Sequence, residues 1–321
     1  MDVAIGFDTS CYTTSVAAVD AGGRVVASER TLLPVPSGQR GLRQSEAVFA
    51  HIRQVPPLAR RVREQTSGAA VCAVAASAAP RDARDSYMPV FLVGAGHAQT
   101  LASLMDVPCY LVSHQQGHIA AGELCNPPMP QRFAALHLSG GTTELLLCEG
   151  EKLTKLGGSL DLHAGQLIDR VGVKMGLPFP AGPELEKLAA AAGPAKALLP
   201  ASLERGDLDC HLSGAETQCE RWIQRGTHPN AKIAAEVFDL LARTVARMIA
   251  AACAQADVSQ ALAVGGVASS ALWRELTRAR LAKLNGGAEL RFGRPEYSGD
   301  NAAGVAWLGM KRFLASGGQS R

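Results

Sequence analysis

The chain has 321 residues, 47% of them apolar and 19% charged, with a formal charge of +3. That length allows a sizeable core and suggests two domains more readily than one, while so small a charge does not by itself imply nucleic-acid binding. Eight cysteines without a C-x-x-C pair argue against a disulfide framework or zinc knuckle; the acidic opening MDVAIGFDTS and the lack of a long uncharged apolar run imply a cytoplasmic protein without membrane contact.

In chain order, the N-terminus reads as a β-meander: VAIGFD, the polar turn TSCYT, TSVAAVD, the turn AGG, then RVVASER. The helical segment EAVFAHIRQVPPLARRVREQ follows. Arg30, Arg40, Arg43, Arg53, Arg60, Arg61 and Arg63 crowd this region, and RDARD at 81–85 adds two more arginines. A solvated helix face accounts for most of them, with a polyanion-binding surface as the alternative. LVSHQQGHIAAGE, residues 111–123, can be helical with Ser113 as N-cap. His114 and His118 then share one helix face about one turn apart, where two imidazoles can bind a common metal ion. The same spacing also occurs among ordinary surface and capping residues.

Between 133 and 157 the meander pattern returns as FAALHLS, GGT, TELLLCEG and EKLTKLGG, with the helical GPELEKLAAAAG downstream. Both copies put small and hydroxyl residues in the first turn and Gly or acidic residues in the second, which reads as one fold used twice. IAAEVFDLLARTVARMIAAACAQA spaces Val237, Leu241, Val245, Met248 and Ile249 as a buried helix, and the strand ALAVGG comes next. In YSGDNAAGVAWLGM, Asp300 sits in a Gly-containing turn before a helix of small residues. It is the best third ligand for the histidine pair, and a His, His, Asp set leaves positions on zinc or iron open for a substrate oxygen.

Two α/β halves, each opening on a hairpin with a Gly/Ser/Thr turn, make a cleft suited to a nucleotide, because backbone N–H groups in such turns hold phosphates without a basic side chain. The implied fold is a pair of ribonuclease-H-like domains of the actin/hexokinase/Hsp70 kind with the nucleotide cleft between them. The expected boundaries are 1–128 plus 298–321 for the first domain and 129–297 for the second. Neither a P-loop nor a Rossmann G-x-G-x-x-G between strand and helix is present.

The ordered series GFDTSCYTTS, SHQQGH, SGGTTE, AGQLIDRVG, PFPAGPELEKLA, LSGAET, VGGVASSALWREL and SGDNAAG resembles the TsaD-type family of tRNA threonylcarbamoyladenosine synthases, once labelled O-sialoglycoprotein endopeptidases, over nearly the whole chain. The resemblance implies that His114, His118 and Asp300 bind one divalent metal, iron or zinc. It implies an adenine nucleotide (ATP, AMP or threonylcarbamoyl-AMP) with its phosphates at Leu138, Ser139, Gly140, Gly141 and Thr142. Ribose and adenine contacts carry over to Asp169, Gly182, Gly266 and Ser270, and Glu186 matches an acidic position of the archaeal and eukaryotic branch. Read without the resemblance, Asp169 and Glu186 are helix-surface charges, and Gly182 is a turn glycine. The first turn, with Asp8, Tyr12 and Thr13, takes the catalytic position. The implied chemistry is acyl-type transfer, in which the exocyclic amine of a tRNA adenine attacks the carbonyl of threonylcarbamoyl-AMP. No serine nucleophile is needed, and neither H-E-x-x-H nor G-x-S-x-G occurs.

Several positions depart from the family pattern. Its ETSCDET is DTSCYTT here, so Tyr12 and Thr13 replace two acids; SGGHT is SGGTT, with Thr142 for a histidine; SGLKT is SGAET, with Glu216 reversing a lysine's charge; and Ser270 replaces an asparagine. The glycine-rich GPGLxGSLLVG becomes AAPRDARDSYMPVFLVG. A Glu216 that faced the phosphates would weaken anion binding. Three readings stay open: a divergent threonylcarbamoyl transferase; a paralogue that keeps nucleotide and metal but serves another acceptor, another carbamoyl donor or a regulatory role; and a non-catalytic scaffold paired, through the first domain, with a related subunit or a second copy.

Overall fold

The computed structural model describes all residues except 11, 35–41, 84, 125, 201–202, 204–207, 285–286 and 319–321. Of the features named above, Cys11, Arg40, Arg84 and Cys125 lie outside the described residues. The chain divides into two compact units, Met1–Cys125 with Glu296–Arg321, and Asn126–Pro295.

The first unit opens with the expected antiparallel meander: β1 (Asp2–Ser10), β2 (Thr13–Asp20) and β3 (Val25–Leu32). Then come α1 (Gln44–Gln65), β4 (Ala70–Ala79), α2 (Phe91–Met105), β5 (Cys109–Ser113) and α3 (His114–Glu123). The sheet order is β3-β2-β1-β4-β5, with β4 parallel to β1 and β5 parallel to β4. All of β1 is buried, because alternate residues serve opposite faces. Val3, Ile5 and Phe7 join a core with Val55, Leu58 and Val62 of α1, while Ala4 packs with Met310 on the other side. Helix α1 continues through Pro56 and Pro57, which helix propensity disfavours; its buried stripe of His51, Val55, Leu58 and Val62 supplies the compensating packing.

In the second unit, β6 (Arg132–Leu138), β7 (Thr143–Glu149) and β8 (Lys152–Ser159) repeat the meander. They are followed by α4 (Ala164–Lys174), α5 (Gly182–Ala191), the short β9 (Asp209–Cys210), α6 (Ser213–Arg225), α7 (Asn230–Ala256), β10 (Gln260–Val264), a 3-10 turn over Val267–Ser269, α8 (Ala271–Leu281) and β11 (Glu289–Phe292). The order β11-β10-β6-β7-β8-β9, with β10 parallel to β6 and β11 to β10, reproduces the first sheet strand for strand and adds β9 at the edge. The predicted stripe of α7 is buried in its core, together with two carboxylates that are satisfied there. Glu236 accepts from the N–H groups of Lys196 (2.7 Å) and Leu198 (2.6 Å), and Asp239 pairs with Arg243 and Arg280.

After β11 the chain passes through α9 (Pro295–Ser298) into α10 (Ala303–Ala315), which returns to pack on β1 and α3. The described cysteines Cys72, Cys109, Cys148, Cys210, Cys219 and Cys253 are not joined in disulfides, and burial pushes Cys219 up to about 12 and Cys72 to about 11. Among the described residues no helix is long and apolar enough to cross a membrane.

Candidate active site

Helix α3 starts where its sequence says it should. Ser113 Oγ accepts from the Gln116 N–H at 3.1 Å and Gln116 Oε1 accepts from the Ser113 N–H at 2.8 Å, a capping box that places His114 in the first turn. Asp300 arrives with α10, which approaches α3 at a glycine on each helix. A Cβ on Gly304 would lie 2.6 Å from the Ala121 nitrogen, and one on Gly117 would lie 2.9 Å from Val305 Cγ2, so only glycine permits this spacing. Asn301 holds the Asp300 turn. Its Nδ2 donates to the carbonyls of Tyr297 (2.8 Å) and Gly299 (2.7 Å), and its Oδ1 accepts from the Ala303 N–H at 3.0 Å. Asn301 lies in the stretch SGDN, where no local pattern announces its role as a turn clamp.

These contacts bring three donor atoms together. His114 Nε2 and His118 Nε2 are 3.0 Å apart, and Asp300 Oδ1 is 3.6 Å from the first and 3.4 Å from the second. Ligands about 2.0–2.1 Å from a tetrahedral zinc are separated by ~3.4 Å, so this triangle has the dimensions of one face of a metal polyhedron. On the far side of the ring, His114 Nδ1 is 3.0 Å from Asp8 Oδ1, and Ser77 Oγ donates to the same oxygen. A carboxylate behind a ligating imidazole fixes its tautomer and aims the other nitrogen outward. Burial opposes a charged His114, yet Asp8 and Asp300 outweigh it and hold the ring well above the usual histidine range. Burial likewise opposes the Asp300 charge, and the hydrogen bonds from His114 and His118 overcome it to hold that carboxyl well below the usual carboxylate range. Two imidazole nitrogens and a carboxylate oxygen converging on one point, with the Asp8 carboxylate behind His114, suit a cation, and such N and O donors suit iron or zinc.

The nucleotide candidates gather within the second unit. The turn between β6 and β7 is closed by the Ser139 N–H to the Thr142 carbonyl (2.8 Å), and the Gly141 N–H donates to Ser139 Oγ (3.2 Å). It rests on the start of α4, whose Gly165 N–H donates to the Ser139 carbonyl at 3.2 Å. Added Cβ atoms on Gly140 and Gly141 would meet nothing within 4 Å, so both glycines face open space. Beside the turn, Gly265 (φ +97°) packs against the Leu138 carbonyl and leads into Gly266 and Ser270, the latter capping α8 by accepting from the Trp273 N–H at 3.1 Å. Glu186 of α5 accepts from the Leu272 N–H at 2.9 Å, and Asp169 of α4 accepts from the Ala181 N–H at 2.8 Å next to Gly182. Burial raises the Asp169 carboxyl against those backbone bonds. Ser270, Glu186 and Asp169 thus each have a structural partner, and the turns that begin at Ser139 and Gly265 follow the carboxyl ends of the adjacent strands β6 and β10, where open α/β sheets bind ligands.

The family model for tRNA N6-adenosine threonylcarbamoyltransferase, TsaD, matches residues 38–307. The chain belongs to the TsaD family. It is 32% identical to the tRNA N6-adenosine threonylcarbamoyltransferase of Symbiobacterium thermophilum over 95% of its own length and 90% of that protein's. With the protein of the same name from Thiobacillus denitrificans the identity is 31%, over 97% and 91% of the two chains. Among solved structures it is similar to a ROK family glucokinase from Streptomyces griseus (TM-score 0.57, 14% identity, covering 96% of this chain and 99% of that one) and to HypF of T. kodakarensis (TM-score 0.61, 14% identity, 98% and 48%). At such identities the likeness is one of fold, and it matches the expected ribonuclease-H-like pair. Membership in TsaD makes this chain an enzyme of a tRNA-modifying transferase family.

Two departures from the TsaD pattern look different in three dimensions. Tyr12 is exposed and Thr13 buried at the turn after β1, and no hydrogen bond among the described residues joins either to Asp8 or the triad. Glu216 is held inside its own unit by Arg170 (3.2 Å) and Lys174 (3.7 Å), so its reversed charge is already paired. Several crowded N-terminal arginines also have internal tasks: Arg61 pairs with Glu29 at 2.7 Å and Arg63 donates to the Ala69 carbonyl at 3.2 Å.

Proposed function

We propose that this TsaD-family chain transfers threonylcarbamoyl from threonylcarbamoyl-AMP to the N6 amine of an adenosine in tRNA. The observation that carries the reading is the triangle of His114, His118 and Asp300 donor atoms at 3.0, 3.4 and 3.6 Å in a chain whose relatives bear that activity's name. In the reaction the new bond joins N6 to the carbamoyl carbon, the anhydride bond to the phosphate oxygen breaks, AMP leaves, and one proton departs from N6. His114, His118 and Asp300 would hold the divalent metal, which supplies Lewis-acid polarisation of an acyl oxygen when bound. Asp8 keeps His114 aimed, with Ser77 steadying Asp8. Leu138 to Thr142 take the phosphate of the nucleotide, and Asp169, Gly182, Glu186, Gly266 and Ser270 surround its ribose and adenine. The test is mass analysis of nucleosides after incubating the metal-loaded chain with synthetic threonylcarbamoyl-AMP and unmodified tRNA. No threonylcarbamoyladenosine under conditions where a relative makes it would remove this reading.

A second reading, a subunit that works beside a partner, draws support from an apolar groove of about 790 Å³ on the first unit, where Ile52 of α1 and Leu92 and Leu104 of α2 are exposed beside Val55 and Val93. Light scattering of the purified chain tests it, with a dimer as the expected mass for self-pairing and a monomer directing the search to a related subunit.

A further inference from the structure

Helix α6 carries Gln218, Arg221, Trp222 and Arg225 at positions i, i+3, i+4 and i+7, which is one helix face. The helix ends at Gly226 (φ +60°), and the link to α7 brings His228 back over Trp222, ring centroids 4.8 Å apart at 79°. With Thr227, these residues line a hollow of about 380 Å³, within the roughly 300–1,000 Å³ range of ligand sites. Its charge is uncompensated. Arg221 and Arg225 have no ion pair or hydrogen bond among the described residues, and the acids of the same helix, Glu216 and Glu220, are taken by Arg170 and Lys174. Two like charges one turn apart repel, so a bare pair costs stability unless an anion sits between them. Packing against the core of the unit accounts for the indole of Trp222 but not for two unpaired guanidiniums beside it. That combination matches an unpaired nucleotide, with phosphate on the arginines and base against the aromatic ring.

We propose that this hollow is a subsite for an unpaired stretch of the RNA substrate, one phosphate lying between Arg221 and Arg225 and the neighbouring base stacking on Trp222. The inference rests on tRNA being the substrate, as proposed above, and places part of its binding on α6. The experiment measures binding of an unmodified tRNA transcript to the full chain across a salt series, with product formation assayed separately. Trp222→Ala weakens binding at least about fivefold and Trp222→Tyr restores most of it, as base stacking requires. Arg221→Ala/Arg225→Ala lowers the slope of log affinity against log salt by about 0.7, the value for one single-strand phosphate contact. The control Arg132→Ala/Lys187→Ala removes equal charge from exposed positions of the same unit and leaves binding unchanged. Variants that bind like a wild-type chain which itself binds the transcript overturn the subsite and leave the transferase reading standing. A wild-type chain that neither binds tRNA nor forms product overturns both. Variants that lose association with a protein partner while keeping RNA affinity assign the hollow to that partner and overturn the proposal.

Discussion

Asp8 Oδ1 lies 3.0 Å from Nδ1 of His114, on the opposite side of the ring from the Nε2 that faces Asp300. The strand residue therefore sets the direction of a helix residue's lone pair. Asp8→Asn keeps the shape and removes the anionic acceptor, and metal affinity should fall about 10- to 100-fold, the usual consequence of losing such a partner. Competition with a fluorescent chelator reads this directly. Affinity equal to wild type would show that His114 needs no help from β1.

Gly304→Ala places a methyl group where the Ala121 nitrogen is 2.6 Å away, so α10 must move off α3. The cost should be about 1–3 kcal/mol, typical of overpacking. Because Asp300 precedes α10, the same shift opens the triad. A lowered melting temperature and a reduced metal content are expected together; a drop in stability with full metal content would place the turn held by Asn301, rather than the helix contact, in charge of Asp300.

Gly140→Val should behave in the opposite way. Its Cβ would enter open space, so the fold should be untouched, while a bulky side chain blocks close backbone approach of a phosphate. Calorimetry with AMP and ATP on the metal-loaded chain should show binding by wild type and little by the variant. Equal binding by both would move the phosphate site away from this turn.

His51 makes acid stability predictable. Thr14 Oγ1 donates to Gln54 Oε1 at 2.6 Å and lies 2.7 Å from His51 Nδ1, so Nδ1 must carry the ring proton, and Nε2 is buried without a hydrogen-bond partner among the described residues. Burial pushes this histidine down to about 4, against the opposing pull of Asp8. A base whose pKa is depressed on folding contributes stability above its unfolded value, near 6.5, and that contribution disappears as pH falls toward 4. The full effect is on the order of 3 kcal/mol. Urea midpoints at pH 7.5 and 4.5 should diverge for wild type and converge for His51→Leu once its constant loss of packing is subtracted. A parallel pH response in both would mean another group drives the acid transition.

The first turn supplies the last prediction. Tyr12 and Thr13 put hydroxyls where the family pattern has two carboxylates, so removal of the N6 proton has no carboxylate acceptor in that turn. Tyr12→Asp/Thr13→Glu should therefore raise the rate of threonylcarbamoyladenosine formation by roughly 10²-fold if one of those carboxylates takes the proton. High wild-type activity unaffected by the double change would show that the substituted acids are dispensable here.

Much of this architecture was legible residue by residue. The two meanders, the Ser113 cap and the stripe on α7 are local patterns whose periodicity is the same in sequence and in space, and all three appear at the expected places. The histidine pair was legible for the same reason, since helix pitch alone puts His114 and His118 on one face. Glu216 was not: as a charge in a motif it suggested repulsion, and only the approach of α4 to α6 gave it Arg170 and Lys174. Nor was the face of α6 that holds Arg221, Trp222 and Arg225, because an uncompensated charge is defined by which acids are near it in space.

By itself, then, the sequence determined the repeated elements, their order and which helix face carries the imidazoles, because hydrogen-bonded periodicity and caps act over a few residues. Tertiary structure decided what meets that face. Asp300 reaches the histidines because Gly304 and Gly117 let two helices touch, Asn301 locks the turn that leads into α10, and Asp8 crosses from β1 to orient His114. Such encounters depend on how closely two backbones approach, a distance set by packing across the whole unit and by no pattern along either segment.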